Sequence, residues 1–213
     1  MSNKTQAFFL SVLVLGGFLV RLYKIENPLA DWHSWRQADS AAVTRNYVKY
    51  GINLLYPRYD DFSDVSGNGL FNPDGYRFVE FPIFNLIHYS LFSLTRPFGS
   101  LELWGRLTSV LASLISSGFL FLIVRRRTNP AIGLLATFFF LFTPFNIYFT
   151  RVVLPDPLMV TLFLAALYFA DLKKKLLTLT FGSLAILVKP VAIFFLLPVY
   201  LQNFRLGVLM IAP

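Results

Sequence analysis

The chain has 213 residues, of which 56% are hydrophobic and only 14% are charged, and its mean hydropathy is +0.61. Soluble domains carry roughly 25% charged residues, so this composition predicts an integral membrane protein. Cysteine is absent, which excludes disulfides, thiolate catalysis and cysteine-ligated metals. The net charge is +8, but its tightest clusters, 125–127 and 173–175, lie between apolar runs. Such clusters are typical of short cytoplasmic loops, not of nucleic-acid binding.

Apolar runs in chain order predict a helical bundle that crosses the membrane several times. The first run, 7–23, follows Lys4, lacks a cleavage site after it and is expected to be a retained span that ends at the membrane interface. Further spans are predicted at 100–124, 131–150 and 157–172, because a full span needs roughly 20 apolar residues.

The last apolar run, 176–204, allows two interpretations. It is either one span with Lys189 inside the membrane or two short helices that meet at Val188-Lys189-Pro190. The positive-inside rule favours two helices with Lys189 at the outer face, and a proline disfavours helical backbone in the residue before it. The run 206–213 resembles the start of another span, so we expect a fragment of a longer protein.

The predicted fold is therefore an all-α membrane protein, a single domain over 1–213 with about six spans plus a truncated seventh. With Lys4 inside, the segment 24–99 becomes a long extracytoplasmic first loop. Within it, 39–50 is predicted as a helix and 83–94 as a short amphipathic helix in the interface. Residues 57–78 are rich in Gly, Asp, Asn and Pro and are predicted to be irregular.

The unusual ionisable side chains all fall on the outer side in this topology. An ionisable group at the edge of a span is costly and usually faces a cavity or a partner. Carboxylates can act as the general base for an acceptor hydroxyl or hold a divalent cation, and Arg and Lys can neutralise a phosphate leaving group. Together they suggest transfer of a group from a phosphate-linked, membrane-embedded donor. The residues are Asp31, His33, Arg36, Asp39, Glu80, His88, Arg151, Asp156 and Lys189.

Structural interpretations of several of these residues stay open. Asp39 is well placed as the N-cap of the predicted first-loop helix. Arg151 and Asp156 could pair with each other, and Lys189 could extend to an interface. Arg106, early in the second predicted span, could extend to the interface in the same way or pair helices.

Four short motifs follow one another in a specific order: Glu80-Phe-Pro82, Leu103-Trp-Gly-Arg106, Arg151-Val-Val-Leu-Pro-Asp156 and Val188-Lys189-Pro190. Their order and spacing resemble the amino-terminal half of a GT-C type membrane glycosyltransferase. The chain is similar to the protein O-mannosyltransferase and aminoarabinose transferase group, glycosyltransferase family 39, over nearly its whole length. The resemblance implies inverting transfer of a sugar from a polyprenyl-phosphate donor to a lipid, glycan or protein acceptor.

The resemblance also implies roles for first-loop residues. An Asp of this loop would be the general base, and Asp39 and Asp31 are the two candidates, because Arg36-Gln37 stands where the family carries an Asp-Glu pair. Glu80 matches the glutamate of the family's Glu-Lys-Pro-Pro segment. The lysine of that segment is missing here, so another cation, Arg36, Arg77 or Lys189, must meet the donor phosphate.

The remaining expected site residues bind the donor or a metal ion. Arg36, Arg151 and Lys189 are the expected phosphate ligands, and Asp156 is expected to hold one of these cations or the first loop in place. Asp31, His33 and Glu80 are the expected ligands of a divalent metal cation.

The expected location is the plasma membrane of a prokaryote, with the chemistry on the extracytoplasmic side in cell-envelope glycosylation. Two other functions remain open on the sequence alone. One is a non-catalytic membrane subunit that retains the fold, and the other is a multi-span transporter, although a transporter would more often show interrupted helices in related halves.

Overall fold

The structure, a computed structural model, describes residues 1–29, 31–63, 70–95, 98–202 and 204–211. Within these ranges the chain is all-helical and forms no β-strand. The eleven described helices are α1 (Asn3–Arg21), α2 (Ser34–Tyr50), α3 (Ile83–Thr95), α4 (Leu101–Arg127), α5 (Pro130–Phe142), α6 (Pro144–Phe149), α7 (Asp156–Asp171), α8 (Lys175–Val188), α9 (Ala192–Phe195), α10 (Leu197–Gln202) and α11 (Phe204–Ile211).

The longest helix, α4, is the centre of the bundle and contacts α1, α2, α3, α5 and α7. Its start is capped by Ser100, whose Oγ accepts the backbone N–H of Leu103 at 3.1 Å. Its last turn carries 125–127, where basic side chains meet the negative end of the helix dipole. At about 1.5 Å per residue, α4 is about 40 Å long, enough to cross a bilayer.

Two helices, α1 and α4, are long and apolar enough to cross a membrane. The apolar helices α3, α5 and α8 have only 13, 13 and 14 residues. The prediction of about six spans is therefore not confirmed for the described part of the chain. Pro144 and Pro190 are the physical reason that α5 and α8 stop short, because proline cannot donate a helical hydrogen bond.

The predicted helix over 131–150 is wrong as a single element. It is broken between α5 and α6 at Thr143, whose backbone is extended (φ −63°, ψ 126°). The residue before a proline avoids helical backbone because the proline ring clashes with it, and Pro144 follows directly.

Two side chains satisfy carbonyl groups at this break. The residue four positions after Phe140 is Pro144, which has no N–H, and Asn146 Nδ2 donates to the Phe140 carbonyl instead. Arg21 Nη1, from the end of α1, donates to the carbonyl of Leu141 at 3.0 Å. Arg21 is thus fully buried, whereas Tyr23 and Lys24 just after it are exposed. That this end of α1 lies at the membrane interface stays a prediction.

The second predicted break lies where the sequence indicates it. Helix α8 ends at Val188, and Lys189 has extended backbone (φ −153°, ψ 119°) before Pro190. The structure therefore favours the interpretation with a break over a single long span. The chain beyond it forms the short helices α9, α10 and α11 and not one second helix, which corrects that interpretation in part.

The first loop folds back on the bundle through α2 and α3. Helix α2 starts at Ser34, five residues before the predicted start, so Asp39 lies inside the helix and is not its N-cap. Gly51 ends it with φ +90°, as predicted for a stop. Helix α3 confirms the predicted 83–94. The described parts of 57–78 are irregular, with one isolated bridge between Arg58 and Tyr76.

A buried amide joins α2 to α3. Asn85 Nδ2 donates to the Ser40 carbonyl at 2.6 Å and to Thr44 Oγ1 at 3.0 Å. Ala41 and Phe84 pack beside it in the core, which continues into Val153 and α7. These contacts place the first loop over one end of α4.

The basic clusters lie at the other end of α4. Arg125 Nη1 donates to Gln6 Oε1 at 3.1 Å, near the start of α1. Arg127 donates to Asp171 at the end of α7 at 2.7 and 3.0 Å, just before the lysines 173–175. The first loop and the basic clusters are therefore separated by the length of α4.

Candidate functional site

A cavity of about 750 Å³ opens near the first loop, and its walls come from α2, α4, α5, α6 and the start of α7. Four ionisable side chains, several aromatic rings and a few hydroxyl and amide groups line it. The ionisable residues are His33, Arg36, Asp156 and Lys189, and the other lining residues are Trp32, Trp35, Ser113, Ser116, Phe140, Phe145, Asn146, Phe149, Thr150, Leu154, Pro157 and Val160.

The cavity wall contains an ion pair between the first residue of α7 and the residue that follows α8. Lys189 Nζ donates to Asp156 Oδ1 at 2.7 Å. Asp156 opens α7, where the helix dipole favours a carboxylate, and Lys189 follows the end of α8. Asp156 thus pairs with Lys189, and the alternative pairing of Asp156 with Arg151 is not formed.

Glu80 links two arginines beside the cavity. It accepts from Arg36 Nη2 with one oxygen and from Arg77 Nη1 at 3.0 Å with the other. The Glu80 side chain is nearly buried. Because Arg36 also lines the cavity, this cluster connects the first loop directly to the cavity wall.

Asp39 lies one helical turn after Arg36 on α2 and is half-buried. Burial raises the pKa of Asp39, and the nearby charges of Arg77 and Arg36 partly offset this rise. No hydrogen bond to its carboxylate is found among the residues that the structure describes, and Asp39 lies beside Arg36 without lining the cavity itself.

Asp31, the second candidate base, is held by structural contacts. Its Oδ1 accepts from Gln37 Nε2 at 2.6 Å, and its Oδ2 lies 3.7 Å from Nη2 of the buried Arg106. Gln37 Oε1 in turn accepts the backbone N–H of Val153 at 3.2 Å. This network ties the first loop to the segment that precedes α7, and sequence reasoning assigned no role to Gln37.

The expected metal ligands do not come together. Among the described residues, no group of three or more His, Asp or Glu side chains is placed to hold a metal ion. Glu80 is engaged by two arginines, Asp31 by Gln37, and His33 lines the cavity wall. The donor set therefore does not fit the predicted three-residue metal site, and no chemical step is assigned to a metal.

Arg151, an expected phosphate ligand, does not line the cavity. It donates to the carbonyl of Tyr23, and its guanidinium lies over the rings of Tyr23 and Tyr148 at 5.7 and 5.5 Å. The Tyr148 hydroxyl donates to the Trp32 carbonyl at 2.9 Å. Arg151 thus links the end of α1 to the segment after α6.

The sequence did not predict the burial of Arg21 or the aromatic lining of the cavity. Arg21 Nε donates to Thr150 Oγ1 at 2.7 Å beside the cavity. Trp32 and Trp35, which line the cavity, received no role from the sequence. An arginine at the end of an apolar run gives no signal of burial, and the break at Pro144 that Arg21 completes was not predicted.

A comparison with known protein families matches residues 85–209 to the dolichyl-phosphate-mannose-protein mannosyltransferase family. The chain belongs to this family. The match covers 125 of the 213 residues and confirms the resemblance seen in the sequence. Comparisons of the chain with curated proteins and with solved structures gave no match.

Membership in the mannosyltransferase family implies a membrane glycosyltransferase that uses a lipid-linked sugar donor. The matched range includes Arg151, Asp156 and Lys189. The first-loop candidates, from Asp31 to Glu80, precede the matched range. The geometry of α2 and the cavity is therefore what joins these candidates to the matched residues.

Proposed function

We propose that this protein transfers a sugar from a polyprenyl-phosphate donor to an acceptor hydroxyl at the outer face of the membrane, with inversion at the anomeric carbon. One observation carries the proposal. Arg36 lines the cavity and shares Glu80 with Arg77, and the half-buried Asp39 follows one turn later on α2. A cation for the leaving group and a candidate base thus lie side by side.

The donor phosphate is bound by Arg36 and Lys189. Both cations line a largely aromatic cavity, where charge-assisted hydrogen bonds to phosphate are roughly twice as strong as neutral ones. Arg36 takes the place of the lysine that is missing after Glu80. Asp156 keeps the Lys189 side chain in position at the cavity wall.

These residues account for the proton and the leaving group of the transfer step. Asp39 accepts the proton of the acceptor hydroxyl, and the acceptor oxygen forms a bond to the anomeric carbon. The bond between that carbon and the phosphate oxygen breaks, and its electron pair leaves with the polyprenyl phosphate, whose charge Arg36 and Lys189 stabilise. The raised pKa of Asp39 makes it a better base than an ordinary carboxylate.

The outer-face orientation is supported by charge. The basic clusters 125–127 and 173–175 lie at the end of α4 opposite the first loop, and cytoplasmic loops carry the excess of Lys and Arg. The proposed location is thus a plasma membrane with the cavity facing outward.

Substitution of the candidate bases tests the proposal. The protein at its full natural length, reconstituted in liposomes, is assayed for sugar transfer from a polyprenyl-phosphate sugar. Asp39→Asn is expected to lower kcat by roughly 10²-fold or more, the usual contribution of a general base. Asp31→Asn is expected to act mainly on thermal stability, since Asp31 holds Gln37 and Arg106.

Asp60→Asn is the matched control, because Asp60 is an exposed carboxylate of the same loop and is not among the charges that shift the pKa of Asp39. Full activity in Asp39→Asn contradicts the assignment of the base to Asp39, and a loss of kcat in Asp31→Asn instead would move that assignment to Asp31. A folded protein that transfers no sugar from any polyprenyl-phosphate donor contradicts the proposed function and favours the non-catalytic subunit.

A further inference from the structure

A cavity of about 380 Å³ lies at the basic end of the molecule, between the end of α7, the start of α8 and the helices α10 and α11. Its wall includes Asp171, Lys173, Lys175, Val199 and Leu206, and these residues are called the basic pocket below. We propose that the basic pocket binds the headgroup of an anionic phospholipid in the membrane leaflet opposite the first loop. Such binding is independent of the proposed sugar transfer.

The positive charge of the basic pocket is not balanced by a carboxylate. Asp171 is the one acidic residue after Asp156 in the sequence, and both of its oxygens accept from Arg127, at 2.7 and 3.0 Å. Lys173 and Lys175 are exposed, and their ammonium groups have no ion pair among the described residues. Two ammonium groups at one cavity attract a phosphate, and basic pockets between membrane helices bind the headgroups of anionic lipids.

The turn after α7 holds Lys173 in left-handed backbone, at φ +57°. The backbone N–H of Lys173 donates to the Ala170 carbonyl at 2.9 Å, and that of Lys174 donates to the Phe169 carbonyl at 2.9 Å. This turn closes many helices, and glycine is the usual residue at its left-handed position, because a side chain is costly there. A lysine at a position that suits glycine better indicates a role for its ammonium group. The same turn brings Lys173 and Lys175, but not Lys174, to the basic pocket.

Core contacts fix the walls of the basic pocket. Val199 of α10 is buried in one cluster with Ala166 of α7 and Met210 of α11. A Cβ on Gly182 would lie 2.5 Å from Met210 Sδ, so α11 packs directly against α8. Ser183 Oγ donates to the Met210 carbonyl at 3.3 Å and joins the same two helices. The cavity is therefore pre-formed, which lowers the entropic cost of binding.

Apolar side chains on the same helices favour a lipid over a free phosphate. Val199 and Leu206 line the basic pocket, and the helices that carry them also expose Leu201 and Phe204. Exposed apolar side chains of this kind mark a surface that contacts the membrane or a partner. A phospholipid can keep its acyl chains in the bilayer along these side chains while its phosphate meets the two lysines. A free phosphate would leave the apolar wall without a contact.

Native mass spectrometry of bound lipid tests the proposed site. The full-length protein, freed of lipid in detergent, is titrated with phosphatidylglycerol, with phosphatidylcholine and with glycerol 3-phosphate. Phosphatidylglycerol is expected to bind saturably and roughly tenfold more tightly than the other two, because only it combines a net negative headgroup with acyl chains. Lys173→Gly and Lys175→Gln are each expected to weaken this binding about fivefold, since one cation near the headgroup is lost.

Lys174→Gln is the matched control, because Lys174 is exposed between the two lysines and does not line the basic pocket. Lys173→Gly is expected to keep or raise the melting temperature in lipid-free detergent, because glycine adopts left-handed backbone without strain, so its loss of binding does not come from unfolding.

Three results overturn the proposed lipid site. Phosphatidylcholine binds as tightly as phosphatidylglycerol, or glycerol 3-phosphate does, which would make the ligand a free phosphate. In the third result, Lys174→Gln weakens the binding of phosphatidylglycerol as much as Lys173→Gly and Lys175→Gln do, which is the effect of surface charge alone.

Discussion

The ion pair between Lys189 and Asp156 is half open to the cavity, with side chains 25% and 43% exposed. Pairs with this much exposure contribute only about 0–1 kcal/mol to stability, because water screens the charges. The fold therefore does not depend on the pair. Because the pair contributes so little to stability, the Lys189 ammonium group at the cavity wall is available to bind a ligand.

Substitution of Lys189 should separate binding from folding. Lys189→Met is expected to raise the KM for the polyprenyl-phosphate donor about tenfold or more, since a charge-assisted hydrogen bond to the phosphate is lost. The melting temperature should change little. Steady-state transfer assays and thermal melts of the same preparation measure the two quantities.

Arg126→Met is the control for loss of one positive charge, since Arg126 is exposed in the basic cluster at the other end of α4. An unchanged donor KM in Lys189→Met would show that Lys189 does not meet the phosphate. A large fall in melting temperature would show instead that the ion pair is a structural contact.

Asp31 and Asp39 are chemically identical and are distinguished only by their neighbours. Asp31 accepts from Gln37 and lies near Arg106, whereas Asp39 stands beside Arg36 and Arg77 without a hydrogen bond in the described structure. The sequence names both as candidate bases but cannot rank them, because the cations that distinguish them, Arg106 for Asp31 and Arg77 for Asp39, come from distant segments.

Helices α3 and α4 meet at a buried histidine. His88 Nε2 donates to the Leu101 carbonyl at 2.7 Å, and its Nδ1 is buried without a partner. A Cβ on Gly105 would lie 2.7 Å from the His88 ring, so glycine is required for this close approach. Burial lowers the pKa of His88 from 6.5 to about 4, although the Leu101 carbonyl and the charge of Glu102 oppose the shift.

This contact predicts a loss of stability in acid. His88 is neutral in the folded protein down to about pH 4 but becomes protonated below pH 6.5 when unfolded. Its penalty is therefore absent above pH 6.5 and grows as the pH falls toward 4. It reaches about 3 kcal/mol there, since one pKa unit corresponds to about 1.4 kcal/mol.

Thermal melts in detergent between pH 7 and pH 4 measure this effect. His88→Gln is the comparison, because glutamine can still donate to the Leu101 carbonyl but does not titrate. The unaltered protein is expected to lose more stability than the variant over this interval. Equal losses in the two proteins would contradict a buried, neutral His88.

The helix breaks at Pro144 and Pro190 bring residues to the cavity from segments whose hydropathy is that of a membrane span. The first break turns α6 away from α5 and brings Asn146 and Thr150 to the cavity. The second places Lys189 opposite the start of α7. Both prolines stand in the sequence, but only the second break was predicted, because a charged residue, Lys189, precedes Pro190 and no charged residue precedes Pro144.

The molecule as a whole has a polarity along α4, because the first loop lies over one end of this helix and the basic clusters lie at the other. The absence of cysteine makes this polarity easy to test by single-cysteine labelling. Phe71→Cys lies on the first loop and Lys174→Cys in the basic cluster, and both positions are exposed. A membrane-impermeant maleimide applied to intact cells is expected to label Phe71→Cys and not Lys174→Cys.

Labelling of both variants after permeabilisation is the control for accessibility. The opposite pattern, with Lys174→Cys labelled in intact cells, would place the cavity on the cytoplasmic side. The proposed outer-face transfer would then be wrong, because the positive-inside rule would not hold for this chain.

Composition, hydrophobic runs and charge clusters were enough to predict an all-helical membrane protein and its first loop with two helices, whereas the family was indicated by a resemblance in the order of motifs. These are properties of local sequence, since apolar length and loop charge act within one segment. The order of the motifs around Glu80, Asp156 and Lys189 was also enough to indicate the kind of chemistry.

Long-range contacts determined the rest. The Glu80 cluster, the partner of Asp156, the burial of Arg21 and the position of Arg151 away from the cavity each depend on residues from distant segments. The predicted metal ligands are kept apart in the same way, because Glu80 pairs with two arginines in the described structure. The role of a side chain depends on its contacts with residues from distant segments, and hydropathy along the chain does not predict those contacts.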